Sequence, residues 1–395
     1  MTAVAAASDT SAEAVCHVCR ASKFEPRSGF EGLPRVSSDC RPWAAGGTLA
    51  LCESCGLLQK VVDASFAGDA AAIYGSYQLY HQTQGQTEQV IFDQQTGLGK
   101  PRSELVLASL LGQLGLPERG RMLDMGCGTG PTLRAFSRLV EGWSLYGYDP
   151  HLPDRDRVAN IPGVRGIFEG TPDSIEERFD LVTAVHVLEH VPDPLTFLKH
   201  MARCLARDGK VLVQIPYFPD SPFDLVIADH CSHFTLGYMG ELCRRAGLVP
   251  LLLSADQLPK EITLVARLGR SDASTPAPPA ATGAAADAGL SWLRALAQQA
   301  RDTKASSLGV FGTSIGGNWL LGILGDRVQF FVDEDPGRAR STYRDRPVLH
   351  PLAVPRGSTV LAPLPPALAT RIRARLSPQT YDFVLPPAYQ APPRL

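Results

Sequence analysis

The sequence lacks a long apolar run, an excess of charge of one sign and a secretion signal. No apolar run approaches the length of a membrane-spanning helix, so we expect no transmembrane segment. The 395 residues carry a formal net charge of −2, which gives no reason to expect nucleic acid or an anionic membrane as a partner. The first residues lack a basic region and read as a disordered lead-in, so a cytoplasmic protein is expected.

Cysteine is present in an odd number, nine, without an export signal, which favours reduced thiols over a disulfide framework. Four of the cysteines form two C-x2-C pairs: Cys16 with Cys19, and Cys52 with Cys55. Two such pairs can aim four thiolates at one tetrahedral zinc ion, and four filled positions leave no place for a reactive water. We therefore predict a structural zinc site.

The segment from residue 121 to residue 149 has the order strand, glycine turn, helix and strand that is typical of a nucleotide-binding βαβ unit. The first strand, Arg121–Asp124, ends in a carboxylate, and Asp149 ends the second strand, Trp143–Tyr148. Glycines let the backbone approach a ligand closely, and the N-terminus of the helix offers N–H donors. The candidate ligand contacts in the turn are Gly126, Gly128 and Gly130.

The spacing of this turn is G-x-G-x-G behind an acid, whereas dinucleotide-binding turns read G-x-G-x-x-G. A pyrophosphate favours bare N–H groups, while the carboxylate of Asp124 suits a cationic ligand. On these residues, and on the run Phe179–Val191, the sequence resembles the class I methyltransferases that use S-adenosylmethionine (SAM). The resemblance implies SAM as cofactor, with Asp124 near its methionine end and Asp149 on its ribose hydroxyls.

The resemblance also adds candidate residues beside the cofactor. Val164–Phe168 is predicted as the third strand, and the tip of that strand borders adenine in this fold, so Phe168 and Glu169 are candidate SAM contacts. The fourth strand is predicted over Phe179–Leu188, because a strand covered on both faces is nearly continuous in apolar residues. His186 is interpreted as a wall residue next to the cofactor.

The chain is predicted to be an α/β protein of several domains. Residues 1–65 comprise the lead-in and a zinc-binding module, and residues 66–270 form a seven-stranded, Rossmann-like SAM methyltransferase domain. Residues 271–289 are rich in Ala and Pro and poor in bulky apolar side chains, so a linker is expected there. Residues 290–395 read as a second Rossmann-like domain for substrate contact or assembly, whose turn Gly312–Gly317 matches neither nucleotide fingerprint.

Two histidine-bearing stretches fall at the carboxyl ends of strands, where ligands bind in open α/β sheets. His190 follows the fourth strand, and Asp229–His233 follows the fifth. Methyl transfer needs a positioned acceptor and, for a poor nucleophile, removal of a proton. We interpret His230 as that base, with Asp229 alongside it. The alternative is a metal site made by Asp229, His230 and His233, although three ligands so close in sequence would be cramped.

The order of zinc-binding module, tyrosine-containing loop, SAM domain and second Rossmann-like domain resembles the C-methyltransferases that act on nucleotide-linked ketodeoxysugars. The similarity rests on four stretches: Leu51–Gln59, Val187–Pro194, Asp229–His230 and Phe311–Leu321. It implies a small-molecule nucleotide-sugar substrate whose α-proton is removed by His230 with the help of Asp229. It further implies that His190 and Tyr77 stabilise the enolate oxygen.

The sequence departs from that family at three places. Asp229 stands where the family has Glu, Tyr74–Tyr77 reads Y-G-S-Y instead of a Tyr-Pro-Tyr-like stretch, and Leu258–Ile262 replaces a His-Gly-Gly element. Three alternatives stay open: O- or N-methylation of another secondary metabolite, a zinc-ribbon enzyme that modifies nucleic acid, and a non-catalytic partner subunit. The oligomeric state stays open as well.

Overall fold

The computed structural model describes residues 15–77, 90–92, 99–152, 154–270, 279–335, 337–376, 378 and 380–394. Within these ranges the chain forms an N-terminal four-stranded sheet, a central seven-stranded sheet, a C-terminal six-stranded sheet and two two-stranded ribbons. No helix in these ranges is both long enough and apolar enough to cross a membrane.

A small antiparallel sheet surrounds the cysteine pairs. The strands of this region are β1 (Phe24–Pro26), β2 (Arg35–Val36), β3 (Pro42–Trp43), β4 (Leu49–Cys52), β5 (Leu58–Lys60) and, from much later in the chain, β13 (Ser232–His233). The sheet order is β1-β4-β5-β13, while β2 and β3 pair as a separate ribbon. Because β13 belongs to the segment that holds His230, the cysteine-rich region and the predicted catalytic segment share one sheet.

A helix and a hairpin connect this sheet to the central domain. Helix α1 (Ala64–Gly75) begins at Asp63, whose side chain accepts a hydrogen bond from the backbone N–H of Phe66 at 2.9 Å. The predicted loop is therefore wrong for Tyr74, which lies in the last turn of α1, whereas Tyr77 follows the helix. Strands β6 (Val90–Phe92) and β7 (Gly99–Pro101) pair as an antiparallel hairpin.

The central sheet confirms the predicted seven-stranded α/β architecture. Its strands are β8 (Arg121–Met125), β9 (Ser144–Tyr148), β10 (Val164–Phe168), β11 (Phe179–Val185), β12 (Leu205–Pro216), β14 (Leu248–Ser254) and β15 (Glu261–Leu268). Its helices are α2 (Arg102–Leu114), α3 (Pro131–Leu139), α4 (Arg155–Ala159), α5 (Pro194–Arg203) and α6 (Leu236–Arg245). The strand order is β10-β9-β8-β11-β12-β15-β14, and β15 runs antiparallel to both of its neighbours.

Alternating side chains of the central strands supply two hydrophobic cores, one on each face of the sheet. Leu123 and Val182 belong to one core, while their chain neighbours Met122 and Leu181 belong to the other. This alternation follows from the two-residue period of a strand, and it explains why the central strands are apolar throughout. Burial on both faces fixes the register of β8 against β11.

The pairing of β8 with β11 places the ends of the two strands side by side. Thr183 lies opposite Asp124, so the glycine turn after β8 and the histidine segment after β11 start at the same edge of the sheet. Strand β11 ends at Val185, before the predicted end at Leu188, because His186 has a φ of 53°, in the left-handed region, which extended backbone does not allow.

The C-terminal unit contains helices and a six-stranded sheet. It contains α7 (Pro279–Asp302), β16 (Leu308–Phe311), α8 (Ile315–Leu324), β17 (Phe330–Val332), β18 (Thr342–Tyr343), β19 (Arg346–Leu349), β20 (Thr359–Leu361), α9 (Pro366–Arg375) and β21 (Asp382–Val384). The sheet order is β18-β19-β17-β16-β20-β21. Two short 3-10 turns of this unit are Gly325–Arg327 and Pro351–Ala353, and three more lie earlier in the chain: Pro172–Ser174, Leu188–His190 and Pro222–Val226.

Helix α7 corrects the predicted linker over its second part. Residues 279–289 are helical, while residues 271–278 lie outside the described residues. Alanine favours helix, and the small side chains of this stretch allow close packing. A Cβ atom at Gly289 would lie 3.1 Å from Leu225 Cδ1, and one at Gly283 would lie 3.4 Å from Leu51 Cδ2. The composition that suggests a linker is thus compatible with a helix packed against the N-terminal sheet.

Candidate active site

The three candidate glycines of the turn adopt backbone conformations that favour glycine. Gly126, Gly128 and Gly130 have φ values of 79°, 49° and 80°, in the region that favours glycine. A Cβ atom would lie 2.5 Å from Val187 Cγ2 at Gly126 and 2.5 Å from Ile161 Cδ1 at Gly130. At Gly128 a Cβ atom would have nothing within 4 Å. Two glycines therefore allow close packing of the protein, while the third faces open space where a ligand can approach the backbone.

Asp124, just before the turn, is a buried carboxylate with few partners. It is 2% exposed, and its Oδ1 accepts a hydrogen bond from Thr183 Oγ1 at 2.6 Å. Burial raises the pKa of Asp124 to about 7, the Thr183 hydrogen bond opposes that rise, and the nearby charge of Asp149 adds to it. A cation placed over the turn would favour the ionised form, so Asp124 fits its predicted position near the methionine end of SAM.

Asp149 lies at the opposite side of the turn, at the end of β9. Its Oδ2 accepts from the backbone N–H of Gly128 at 3.1 Å, and its Oδ1 accepts from the N–H of His151 at 3.2 Å. Burial raises the pKa of this carboxyl. The two backbone bonds fix the carboxylate next to Gly128, the turn glycine that faces open space, which fits its predicted contact with ribose hydroxyls.

The two predicted contacts at the tip of β10 have different surroundings. Phe168 is partly buried and stacks on Tyr146 with ring centroids 6.1 Å apart. Glu169 is exposed and forms an ion pair with Arg155 at 3.0 Å. Their contact with adenine stays a prediction.

His186 occupies a corner between the cofactor turn and the rest of the site. Its Nδ1 lies 2.9 Å from Glu189 Oε1, and its Nε2 lies 3.5 Å from Glu261 Oε1 and contacts Arg102. Val187, the next residue, is the side chain that packs against Gly126. His186 therefore lies directly beside the point where the glycine turn contacts the histidine segment. Its predicted position next to the cofactor stays a prediction.

His190 is paired with Asp229. The Nδ1 atom of His190 lies 3.3 Å from Asp229 Oδ2 and 3.0 Å from the hydroxyl of Tyr74, which also donates to Asp229 Oδ2 at 3.2 Å. Burial alone would lower the pKa of His190, but the hydrogen bond and the charge of Asp229 outweigh it and raise the pKa. Asp229 is further held by Ser38, whose backbone N–H donates to Oδ1 at 2.8 Å.

The predicted pairing of His230 with Asp229 is corrected by the structure. The Nδ1 atom of His230 lies 2.6 Å from Oδ1 of Asp224, and the Nδ1 atom of His233 lies 2.6 Å from Oδ2 of the same carboxylate. Burial would raise the pKa of Asp224, but the charges and hydrogen bonds of the two histidines outweigh it, so the pKa is strongly lowered. A cramped metal site of Asp229, His230 and His233 is not supported, because these side chains have different partners.

The two carboxylate–histidine pairs face each other. The rings of His190 and His230 meet edge to face, with centroids 4.5 Å apart. Lys60, which is 1% exposed, donates from Nζ to the backbone oxygen of His230 at 2.8 Å. This hydrogen bond helps to fix the backbone of the segment that holds His230. The predicted catalytic residues His190, Asp229 and His230 are therefore brought together, with their pairing changed.

Tyr77 and Tyr74 border this cluster from the end of α1. The hydroxyl of Tyr77 lies 3.5 Å from Ser38 Oγ, one side chain away from Asp229, while Tyr74 contacts His190 and Asp229 directly. Burial raises the pKa of both phenols, so both stay protonated and can donate a hydrogen bond. Sequence reasoning selects Tyr77 and misses the closer contact of Tyr74, which the helical position of Tyr74 explains.

The four predicted zinc ligands converge. The Sγ atoms of Cys16, Cys19, Cys52 and Cys55 lie within 4.8 Å of one another, and all four thiols are free of disulfides. The pairs Cys16–Cys55 and Cys19–Cys52 have Sγ atoms 3.5 Å apart. Sulfurs at about 2.3 Å from a tetrahedral zinc ion are roughly 3.8 Å apart, so the cluster fits such an ion.

Comparisons with known proteins find similarity to methyltransferases. Residues 101–253 match the family model described as a methyltransferase domain. The chain is 29% identical over 147 residues to C-methyltransferase NovU of Streptomyces niveus, a match that covers 34% of this chain and 34% of that protein. It is 35% identical over 102 residues to a ubiquinone biosynthesis O-methyltransferase of Rhodopseudomonas palustris (strain BisB5), which covers 24% of this chain and 38% of that protein.

Among solved structures, the methyltransferase CcbJ of Streptomyces caelestis is similar over 43% of this chain and 97% of that one, with 16% identity and a TM-score of 0.36. The chain spans little more than a third of the length of the curated relatives named above. The family match covers the glycine turn, both acidic residues beside it and the segments of His190 and His230. Residues 101–253 are therefore similar to a methyltransferase domain along their whole length.

Proposed function

We propose that this protein is a SAM-dependent C-methyltransferase that acts on a small ketone, most specifically a nucleotide-linked ketodeoxysugar. The observation that carries the proposal is the pair of opposed carboxylate–histidine units, Asp224–His230 and Asp229–His190, next to the glycine turn. Val187 packs against Gly126 and lies in the same segment as His190, so proton transfer and methyl donation would occur at one edge of the sheet.

The two histidines are suited to opposite tasks. Asp224 engages Nδ1 of His230, which fixes the tautomer in which Nε2 can accept a proton. Asp229 raises the pKa of His190, so His190 is the better hydrogen-bond donor near neutral pH. A base facing an acid is the arrangement required to form and stabilise an enolate.

In the proposed reaction, a C–H bond α to the ketone breaks and its proton moves to Nε2 of His230. The electron pair shifts toward the carbonyl oxygen, where His190 and the hydroxyl of Tyr77 donate hydrogen bonds. The glycine turn between Asp124 and Asp149 would hold SAM, whose chemistry is to supply an electrophilic methyl group. The bond from the methyl carbon to the sulfonium sulfur would break as the nucleophilic carbon takes the methyl, and S-adenosylhomocysteine would leave. The proton on His230 is then released to solvent.

Two observations support carbon as the methylated atom and a sugar as the acceptor. The match to a C-methyltransferase extends through a third of this chain, and the sequence resembles the nucleotide-sugar enzymes in stretches outside that domain. An O-methyltransferase is the second candidate, because a relative of that activity matches a similar share of the domain and the same base could deprotonate a hydroxyl. We further propose that the four-cysteine cluster holds a structural zinc ion.

The decisive experiment detects proton exchange separately from methylation. Purified protein is incubated in D2O with a panel of nucleotide ketosugars and with S-adenosylhomocysteine in place of SAM. Mass spectrometry should show deuterium at the α-carbon, and the corresponding incubation with SAM should give a C-methylated product.

His230→Asn should slow exchange by roughly 10²–10⁴-fold. His350→Gln is the control, because this histidine belongs to the C-terminal unit, where its Nδ1 accepts from the N–H of Leu352 at 3.3 Å. Methylation of oxygen without exchange would favour the second candidate.

A further inference from the structure

Glu189, His190 and His230 form a second group of metal-ligating side chains, apart from the cysteines. A carboxylate oxygen of Glu189 and one ring nitrogen of each histidine lie within 4.8 Å of one another. Glu189 is 1% exposed and His230 is 4% exposed, and the side chain of His190 is 8% exposed. The three ligand atoms therefore converge at a place that is largely shielded from solvent.

The carboxylate of Glu189 is only half satisfied. Its Oε1 lies 2.9 Å from Nδ1 of His186, whereas Oε2 is buried and has no hydrogen-bond partner among the residues that the structure describes. A buried carboxylate oxygen without a partner is costly, and such an oxygen is often one that binds an ion. A cation between Glu189 and the two histidines would remove this cost.

Both histidines also have the hydrogen bonds that metal-ligating imidazoles require. The Nδ1 atom of His190 is engaged by Asp229, and the Nδ1 atom of His230 is engaged by Asp224. In metal sites the ring nitrogen that does not bind the metal donates to a carboxylate or carbonyl, which fixes the ring and increases its basicity. The same bonds leave Nε2 of each ring as the nitrogen available to a metal.

We propose that Glu189, His190 and His230 form a divalent-metal site that takes a borderline cation such as Zn²⁺, Co²⁺ or Ni²⁺. Two imidazole nitrogens and one carboxylate suit these ions, whereas Mg²⁺ and Ca²⁺ prefer all-oxygen ligand sets. Binding of the metal withdraws both ring nitrogens from proton transfer, so the metal inhibits the reaction proposed above. The site itself does not depend on the identity of the acceptor.

Cobalt titration tests the site with a readout independent of activity. Protein carrying zinc in the cysteine cluster is titrated with Co²⁺, and one further equivalent should bind with visible d–d absorption but without the intense near-ultraviolet band of thiolate-bound cobalt. Glu189→Gln and His230→Asn should each weaken cobalt binding roughly tenfold or more. His200→Asn, a histidine paired with Asp173 at 3.7 Å outside the site, should leave it unchanged.

The outcomes separate this proposal from the proposed function. If the zinc-loaded protein binds no cobalt, or if both site variants bind cobalt with the affinity of the parent protein, the proposed metal site is wrong. Deuterium exchange is measured on the zinc-loaded sample before and after cobalt is added. Exchange before cobalt with no cobalt binding contradicts the metal site alone, whereas cobalt binding without any exchange contradicts the enolate chemistry alone. Exchange that cobalt suppresses in the parent protein supports both.

Discussion

The Nδ1 atom of His230 lies 2.6 Å from Oδ1 of Asp224, and the other oxygen of the same carboxylate lies 2.6 Å from Nδ1 of His233. The buried carboxylate of Asp224 thus orients the rings of both His230 and His233, while Asp229 forms the ion pair with His190. Asp224 lies in the 3-10 turn Pro222–Val226, away from any sequence pattern that would mark it as functional. Asp224 is therefore a positioning residue for the proposed base, and it can be tested separately from Asp229.

Asp224→Asn is expected to lower the rate of α-proton exchange by about 10²–10⁴-fold, because an amide can hold His230 in the wrong tautomer. Asn is nearly isosteric with Asp, so the affinity for SAM and the KM for the acceptor should change little, and the loss should appear in kcat. Asp220→Asn, which breaks an outlying contact with Arg394, is the matched control. A variant whose KM rises while its exchange rate is preserved would contradict the positioning role.

The sequence predicts the cofactor half of the site well because local rules determine it. Three turn glycines need positive φ, and a strand with both faces buried must be apolar, so β8, the turn and β11 are visible in the sequence. The end of β11 is misplaced only because the backbone of His186 turns into the left-handed region, which histidine seldom adopts. The apolar pattern of the strand does not show where a single residue adopts a left-handed backbone conformation.

The sequence predicts which histidines and which aspartate, Asp229, belong to the acid–base half of the site, but not which carboxylate pairs with which histidine. His230 and Asp229 are neighbours in sequence, yet consecutive side chains in an irregular segment point in different directions, and their partners come from α1, the turn before them and the cysteine-rich region. Tyr74 is missed because its helix, rich in alanine and glycine, has a weak amphipathic pattern. Tertiary packing, which spacing does not reveal, decides these contacts.

Asp124→Asn should stabilise the ligand-free protein at alkaline pH and weaken SAM binding. The folded-state pKa of Asp124 is raised from 3.8 to about 7, so its contribution to stability is fully present below pH 3.8 and is lost as the pH rises toward 7. By pH 8 the buried carboxylate costs up to roughly 4 kcal/mol relative to a neutral side chain. Urea unfolding of both proteins at pH 4 and pH 8 should show a difference that grows with pH.

The same carboxylate predicts the pH dependence of cofactor binding. Because a positively charged ligand favours ionised Asp124, the affinity for SAM should fall as the pH decreases below about 7, by up to tenfold per pH unit. Calorimetry at several pH values measures this slope, and Asp124→Asn should bind weakly at every pH. Binding of SAM by this variant with the affinity of the parent protein would show that Asp124 does not contact the cationic end.

Gly128→Ala and Gly126→Ala form a matched pair that separates ligand contact from packing. Both residues have positive φ, so alanine costs about 1 kcal/mol in backbone strain at either position. At Gly126 the new Cβ would also collide with Val187 at 2.5 Å, so that variant should lose further stability. At Gly128 the Cβ meets open space, so the variant should fold and lose SAM affinity. Thermal unfolding with and without SAM distinguishes the two, and unchanged affinity in Gly128→Ala would place the ligand elsewhere.

The cysteine cluster is joined to the acid–base residues through the sheet that they share. His233 lies opposite Leu58 in the pairing of β13 with β5, and Nδ1 of His17 lies 2.8 Å from Oγ of Ser232. Tyr238, at the start of α6, places its hydroxyl 2.8 Å from Sγ of Cys55. A metal that holds the two cysteine pairs together would therefore order the strand that ends the catalytic segment.

Cys52→Ser is accordingly expected to release the bound metal and to slow α-proton exchange by at least about tenfold, while SAM binding persists because the glycine turn belongs to the central sheet. Metal analysis should find one zinc per chain fewer in the variant than in the parent protein, and amide hydrogen exchange should show faster opening of residues 224–233 in the variant. Cys243→Ala, which removes a buried thiol outside the cluster, should keep both the metal and the exchange activity. Full exchange activity in metal-free Cys52→Ser would mean that β5 orders His230 without help from the cluster, through packing and the bond from Lys60 to the His230 carbonyl.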